Sequence, residues 1–256
     1  MLIPWYYLVI FLLGLLIGSA LHALLLRLYF RSAWWRTKLG CWWCSAVFSW
    51  REVIPAINIF FLRGYCRACR KPLPYPAMLI EVVTALLFAL VAWRHQATEA
   101  ADLFIIRDWF IMSVLVVIFF YDLRWQIILD KVVYSALIIV LVFHLLLNVE
   151  WPMAIIGAVV GGGFFLLQYL WSRGQWLGGG DVKLGFLLGL MVGWPNILLI
   201  FLIAYVLGGV VGLWLVIRRQ KTMTSQLPFG TFLAAAAVIT LLFGDQLINW
   251  YWRLIS

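Results

Sequence analysis

Charge is what this 256-residue chain has least of: Lys, Arg, Asp and Glu make up 11% of it and hydrophobic residues 66%, where a soluble globular domain carries roughly 25% charged residues. So little polar surface excludes a water-soluble fold. Acidic side chains are the scarcer sign, 10 against 19 Lys and Arg, which leaves a net charge of +9. Nucleic-acid binding would need a basic soluble domain, and no polar stretch is long enough to supply a large one. Cysteine and histidine are also few, at four and three. What remains is apolar sequence in long runs, and the charge has to be read as membrane topology.

About 20 apolar residues carry a helix across a bilayer. By that measure the candidate spans are 3–26, 77–93, 109–121, 127–147, 153–171, 182–195, 196–217 and 228–243. The expected fold is an all-α polytopic membrane protein of about eight transmembrane helices, two of them short, with a small cytoplasmic four-cysteine, zinc-type loop domain after the first helix. The first span has no basic segment before it and no small-residue cleavage site at its end, so it is expected to be retained. Putting 27–76 in the cytoplasm places every Lys and Arg there except Arg94, Arg107 and Arg253, so the positive-inside rule predicts two periplasmic termini. A re-entrant 182–195 would export Arg218, Arg219 and Lys221, and that stretch is therefore read as a crossing. Gly157 and Gly161, Gly185, Gly189 and Gly193, and Gly208 and Gly212 recur every four residues, a spacing that lets helix backbones approach closely in lipid. The 16 Trp and 10 Tyr residues read as interfacial anchors.

The polar segment 27–76 holds all the cysteines, as Cys41-Trp-Trp-Cys44 and Cys66-Arg-Ala-Cys69. Each pair offers two thiolates from one tight turn, and two such pairs complete a tetrahedral structural zinc site. Disulfides and metal-free buried thiols are the alternatives; a reducing cytoplasm disfavours the first. Bound zinc would also explain how so short a loop folds without a large core.

Two carboxylates stand at span ends on the same predicted face. Asp122 lies in Tyr121-Asp122-Leu123-Arg124, and Asp181 follows the run Gly178-Gly179-Gly180. Asp130 and Lys183 are the nearby charges. Ionisable groups at membrane depth are candidates for function. Paired aspartates suit a dyad that shares one proton and activates water against a peptide carbonyl, with ion coupling as the alternative. Asp122 pairing with Arg124 and Asp130 capping a helix are the structural readings. His22 late in the first helix, His95 in an outer loop and His144 within an apolar span read as structural.

Taken together, these features resemble the type IV prepilin peptidase family, the bifunctional leader peptidases and N-methyltransferases of pilus and type II secretion systems. The resemblance runs through Gly18-Ser19 with Arg27, the two Cys pairs, Trp50 with Ile54-Pro55, Gly64 before Cys66, and Glu81 with Thr84 and Phe88. It continues through Asp122 and Asp130 eight residues apart, Gly178 to Leu184, and Pro228-Phe229-Gly230-Thr231. It implies that Asp122 and Asp181 are the catalytic aspartates of a G-x-G-D peptidase. Such an enzyme removes the leader of prepilins or pseudopilins on the cytoplasmic side, after a glycine of the substrate. Lys183, Asp130, Gly178 and Gly180 would support the aspartates or meet substrate. Glu52, Gly64 and Glu81 would belong to methyl transfer from S-adenosylmethionine, and Cys41, Cys44, Cys66 and Cys69 would hold zinc. The implied location is the bacterial inner membrane, with the bilayer and the prepilin as partners and no nucleic acid. Residues 1–76 would form the methyl-transfer half and 77–256 the peptidase.

The chain departs from the family pattern mostly in the first half: His22 replaces an Asn, Arg51-Glu52-Val53 replace Tyr-Asp-Asn, Trp42 stands for a Pro and Ala77-Met78 for Tyr-Pro. In the second half, Leu129 and Thr231 each stand where proline is usual. Cleavage is therefore expected more firmly than methylation, and no soluble Rossmann glycine fingerprint adds an independent case for S-adenosylmethionine. The competing readings are an ion-coupled transporter using Asp122 and Asp181 as a proton relay, and an inactive assembly component that docks through its cysteine loop.

Overall fold

A backbone surrounded by lipid must satisfy its own hydrogen bonds, and a helix is the local way to do so. The computed structural model describes residues 3–30, 44, 46, 65–71, 77–96, 102–220 and 227–255. It contains α1 (Ile3–Phe30), α2 (Ala77–Gln96), α3 (Asp102–Trp125), α4 (Asp130–Leu146), α5 (Trp151–Trp171), α6 (Gly179–Val192), α7 (Asn196–Ile217) and α8 (Phe229–Ile255). Six of them, α1, α2, α3, α5, α7 and α8, are long and apolar enough to cross a membrane. All the elements among the described residues are helices, and the chain is a multi-pass membrane protein. Helix α4 has 17 residues and α6 has 14; the latter rises about 21 Å, less than a bilayer's hydrocarbon thickness of about 30 Å. Outward side chains such as Leu167, Leu202 and Val210 are apolar and exposed, as a lipid-facing surface requires.

The chain divides into two compact units, Met1–Ser113 and Val114–Ser256. In the first, α1 and α2 pack antiparallel. A methyl group on Gly14 would stand 2.5 Å from Ala85 Cα, and one on Gly18 would stand 2.6 Å from Glu81 Cα, so both glycines permit near-contact of the two backbones. Ile10, Phe88 and Ala92 form the core beside them, with Tyr7 and Trp109 packed against it. The Trp109 ring stacks on Phe88 at 5.3 Å, and its indole N–H donates to the Phe88 carbonyl at 3.1 Å.

The third span is longer than the expected 109–121, because its charges are paired rather than helix-ending. The Asp108 carboxylate takes His95 Nε2 at 2.8 Å on one oxygen and the Arg107 guanidinium at 2.8 Å on the other. A buried carboxylate satisfied on both sides does not stop a helix. His95 accordingly lies within α2, not in an outer loop, and is buried. The last helix likewise runs on to Ile255, past the expected end at 243.

In the second unit, α6 is the central element, packed against α4, α5, α7 and α8. Leu184, Leu187 and Leu188 on it are fully buried. Its closest neighbour is α5, running antiparallel: Gly157 lies against Gly189 and Gly161 against Gly185, with carbonyl oxygens where a Cβ would stand. This is the close approach expected from the four-residue spacing, and dispersion between touching backbones replaces the hydrophobic drive that lipid does not supply. Gly208 and Gly212 differ. They meet side chains, Phe232 at 3.5 Å and Leu227 at 3.1 Å, rather than a facing backbone. Phe165, Phe201 and Phe229 close the packing as edge-to-face pairs at 5.2 and 5.8 Å.

Replacing Gly189 with Val is expected to lower stability by about 1–3 kcal/mol through overpacking. Gly163→Ala, where nothing lies within 4 Å of the new methyl, is expected to be neutral. Thermal unfolding of the two variants in detergent checks the difference.

Candidate active site

Asp122 occupies the last turn of α3, three residues before Trp125, and Asp181 is the third residue of α6. Both are buried, with 4% and 7% of their surfaces exposed. Gly180, next to Asp181, and Gly230, against Asp122 Oδ2, both face Ile128, so the two aspartates border the same residue. A carboxylate so buried needs donors, and each finds them at the start of a helix, where the first N–H groups have no partner within the helix.

For Asp181 the donor is local. The Gly178 N–H donates to Asp181 Oδ2 at 3.0 Å, while the Asp181 N–H donates to the Gly178 carbonyl at 3.0 Å, so the first turn of α6 closes on itself. For Asp122 the donors come from far along the chain. The Thr231 N–H reaches Asp122 Oδ2 at 2.7 Å and the Thr231 hydroxyl reaches the same oxygen at 3.0 Å. In both aspartates Oδ2 is therefore tied to a helix start. Among the described residues, Oδ1 of neither accepts a hydrogen bond.

Ile128, in the connection from α3 to α4, stands between the two helix starts. A methyl on Gly180 would lie 2.9 Å from Ile128 Cβ, and one on Gly230 would lie 3.0 Å from Ile128 Cδ1 and 3.0 Å from Asp122 Oδ2. A side chain at 180 would force Ile128 to shift, and one at 230 would need Ile128 and Asp122 to give by a few tenths of an ångström. Gly178 and Gly179 have open space or ordinary contacts.

The other expected residues separate into three groups. Lys183 and Asp130 form an ion pair, with Nζ at 2.8 Å from both carboxylate oxygens, and Lys183 lies over the Tyr134 ring at 5.6 Å. This exposed pair joins the start of α4 to the start of α6, and Asp130 caps nothing: no side-chain cap bond exists at the start of α4. In the first unit, Glu81 is buried on α2 against Gly18, and its Oε2 has no partner among the described residues. Cys44, Cys66 and Cys69 come together, with all three sulfurs within 4.8 Å of one another, an arrangement that could hold a metal ion. The second cysteine pair sits on a turn closed by the Arg70 N–H on the Cys66 carbonyl at 2.8 Å and the Cys66 N–H on the Lys71 carbonyl at 3.0 Å. Cys41, Glu52 and Gly64 lie outside the described residues. His144 is buried, with Nδ1 on the Val140 carbonyl at 2.9 Å.

Sequence reasoning took Thr231 only as a departure from a pattern and did not find it as the donor to Asp122. The available signal was its place in the first turn after Pro228, where a helix start offers free N–H groups.

Two family models match the chain: the Type IV leader peptidase family over residues 109–213 and the Bacterial Peptidase A24 N-terminal domain over residues 12–95. Among curated relatives, a prepilin leader peptidase/N-methyltransferase of Pseudomonas putida is 31% identical, covering 92% of this chain and 90% of its own length. One of Aeromonas hydrophila is 30% identical over 97% of this chain and 95% of its own, and one of Bacillus subtilis (strain 168) is 24% identical over 95% and 96%. No solved structure matches. Identity at this level over nearly the full length, with both family models in the expected order, shows that the chain belongs to the type IV leader peptidase family.

Proposed function

We propose that this membrane peptidase removes the leader of prepilins or pseudopilins, with Asp122 and Asp181 as its catalytic carboxylates. The observation that carries the assignment of the residues is the shared arrangement of the two aspartates: each is buried, each has Oδ2 held at a helix start, and each keeps Oδ1 without a hydrogen bond among the described residues. Two carboxylates buried about the same apolar residue disfavour a second charge, so the pair would hold one proton between them and titrate as a unit. The ionised member takes a proton from water as it attacks the scissile carbonyl. The protonated member donates to the carbonyl oxygen, giving a gem-diol; the proton taken from water then passes to the leaving nitrogen as the C–N bond breaks, and the other carboxylate recovers its proton from the collapsing diol.

A proton relay across the bilayer would call for carboxylates near the midplane with an exit path. Both aspartates stand at helix ends, which favours chemistry at the membrane face. Arg124, Lys131, Arg173 and Lys183 lie near the same helix ends in sequence, and the positive-inside rule puts that face in the cytoplasm and both termini in the periplasm. A substrate with a short leader ahead of a long apolar helix can then lie in the bilayer with its cleavage point at this face.

In the first unit the cysteines fit zinc. Tetrahedral thiolates at a Zn–S distance of about 2.3 Å stand about 3.8 Å apart, and Cys44 Sγ and Cys66 Sγ are 3.7 Å apart. Cys69 would supply the third ligand and Cys41 the fourth, and the metal would supply a structural crosslink only. Methyl transfer is the second proposed activity. S-adenosylmethionine would supply an electrophilic methyl group for the new N-terminal amine. Glu81 Oε2, buried and without a partner among the described residues, fits a cationic group, with Glu52 and Gly64 as further candidates. Functionally this divides the chain at residue 76, with 1–76 serving methylation together with Glu81 and 77–256 carrying cleavage.

Asp122→Asn and Asp181→Asn are each expected to lower cleavage of a full-length prepilin by about 10²-fold or more while inserting normally, and Asp130→Asn is expected to be milder. Intact mass spectrometry of the product reads this, and with S-adenosylmethionine present it also reports an added methyl group. Cleavage at the normal rate by the Asp181 variant would remove the dyad. Cys66→Ser is expected to reduce bound zinc, measured by elemental analysis of the purified protein; unchanged stoichiometry would defeat the thiolate assignment.

A further inference from the structure

We infer that Thr231 is the positioning residue that sets the orientation of the Asp122 carboxylate for catalysis, a role that rests on Asp122 being catalytic. Two donors on one residue converge on one oxygen. The backbone N–H lies at 2.7 Å and the hydroxyl at 3.0 Å from Asp122 Oδ2, across 109 residues of sequence. Thr231 is itself buried, with 4% of its surface exposed, so it can act on a substrate only through Asp122.

The two donors differ in what they require. The N–H belongs to the first turn of α8, where the helix itself supplies no acceptor, and any residue but proline could offer it. The hydroxyl is particular to Thr or Ser. In a helix interior such a hydroxyl turns back to a carbonyl of the preceding turn; here it is directed at Asp122 instead. Gly230 lets this happen, since a methyl there would stand 3.0 Å from Asp122 Oδ2 and 3.1 Å from its Cγ. Proline, the residue expected at 231 by resemblance, could make neither bond.

A carboxylate can rotate about its Cβ–Cγ bond and exchange its oxygens, a soft torsion with little preference of its own. Tying both donors to Oδ2 commits that oxygen and leaves Oδ1 as the one that exchanges a proton with water or with Asp181. Among the described residues, the Asp181 carboxylate accepts one hydrogen bond, from the Gly178 N–H. The two carboxylates are thus not equivalent, and Thr231 is what makes them differ.

The test uses the purified full-length chain in detergent or lipid with a full-length prepilin, reading kcat and KM separately. Thr231→Ser and Thr231→Ala differ by a single oxygen, and both keep the backbone N–H. Ser is expected to retain kcat within about threefold, whereas Ala and Thr231→Val lose roughly tenfold to a hundredfold in kcat with KM little changed, the scale of a hydrogen bond to a charged group. Thr231→Pro, which removes both donors, is expected to lose more. Wild-type kcat in the Ala and Val variants, or Ser as slow as Ala, would overturn the positioning role, the second outcome pointing to packing by the methyl. Asp122→Asn measured alongside separates the two claims. An inactive Asp122 variant beside unimpaired Thr231 variants ends this inference alone, and an active one ends the assignment of Asp122 with it.

Discussion

A carboxylate buried in an apolar helix bundle survives only where donors meet it, and the second half of this chain is arranged around two such meetings. Asp181 is met by the Gly178 N–H and Asp122 by Thr231, both at helix starts. Helix starts are suited to this, since their unpaired N–H groups and dipole favour negative charge. The arrangement has a steric condition: α6 and α8 must begin almost against the connection that follows α3. Glycine at 180 and 230 meets that condition, with Ile128 filling the space between. The glycine ladder of α5 and α6 then fixes where α6 lies. The two halves of the problem, charge and packing, are solved by the same few residues.

Much of this was legible in the sequence because it depends on local patterns. Hydropathy located every described helix, and the glycines at 157, 161, 185 and 189 announced a close approach by their spacing alone. What escaped depended on partners distant in the chain. The span expected at 109–121 extends to Asp102–Trp125 because Asp108 is neutralised by His95 and Arg107, and a hydropathy window sees only charge. Gly208 and Gly212 have the same spacing as the other pairs but face side chains, since spacing does not say what stands opposite. Thr231 was visible only as an unusual residue in a familiar pattern, because a bond across 109 residues leaves no local trace.

The first unit follows a different logic. Among its described polar groups are three gathered thiols, the Asp108 carboxylate held by His95 and Arg107, and the buried Glu81. A short loop has too little apolar surface to fold by burial, and a metal crosslink can take the place of a core. Glu81 poses the opposite case: a carboxylate oxygen buried with no partner among the described residues is costly, and a cationic ligand is one reason to keep it. Peptidase and methyl-transfer chemistry would then rest on different solutions to the same difficulty, that of keeping polar groups in a lipid-facing protein.

Whether Asp122 and Asp181 act as one unit is tested most directly by a double-mutant cycle. Cleavage rates of a full-length prepilin would be measured for Asp122→Asn, Asp181→Asn and the combined variant. If the carboxylates share one proton, either substitution already removes the function of both, and the combined variant should be no slower than the slower single one. Losses that multiply in the combined variant would show two independent contributions and contradict a shared-proton dyad.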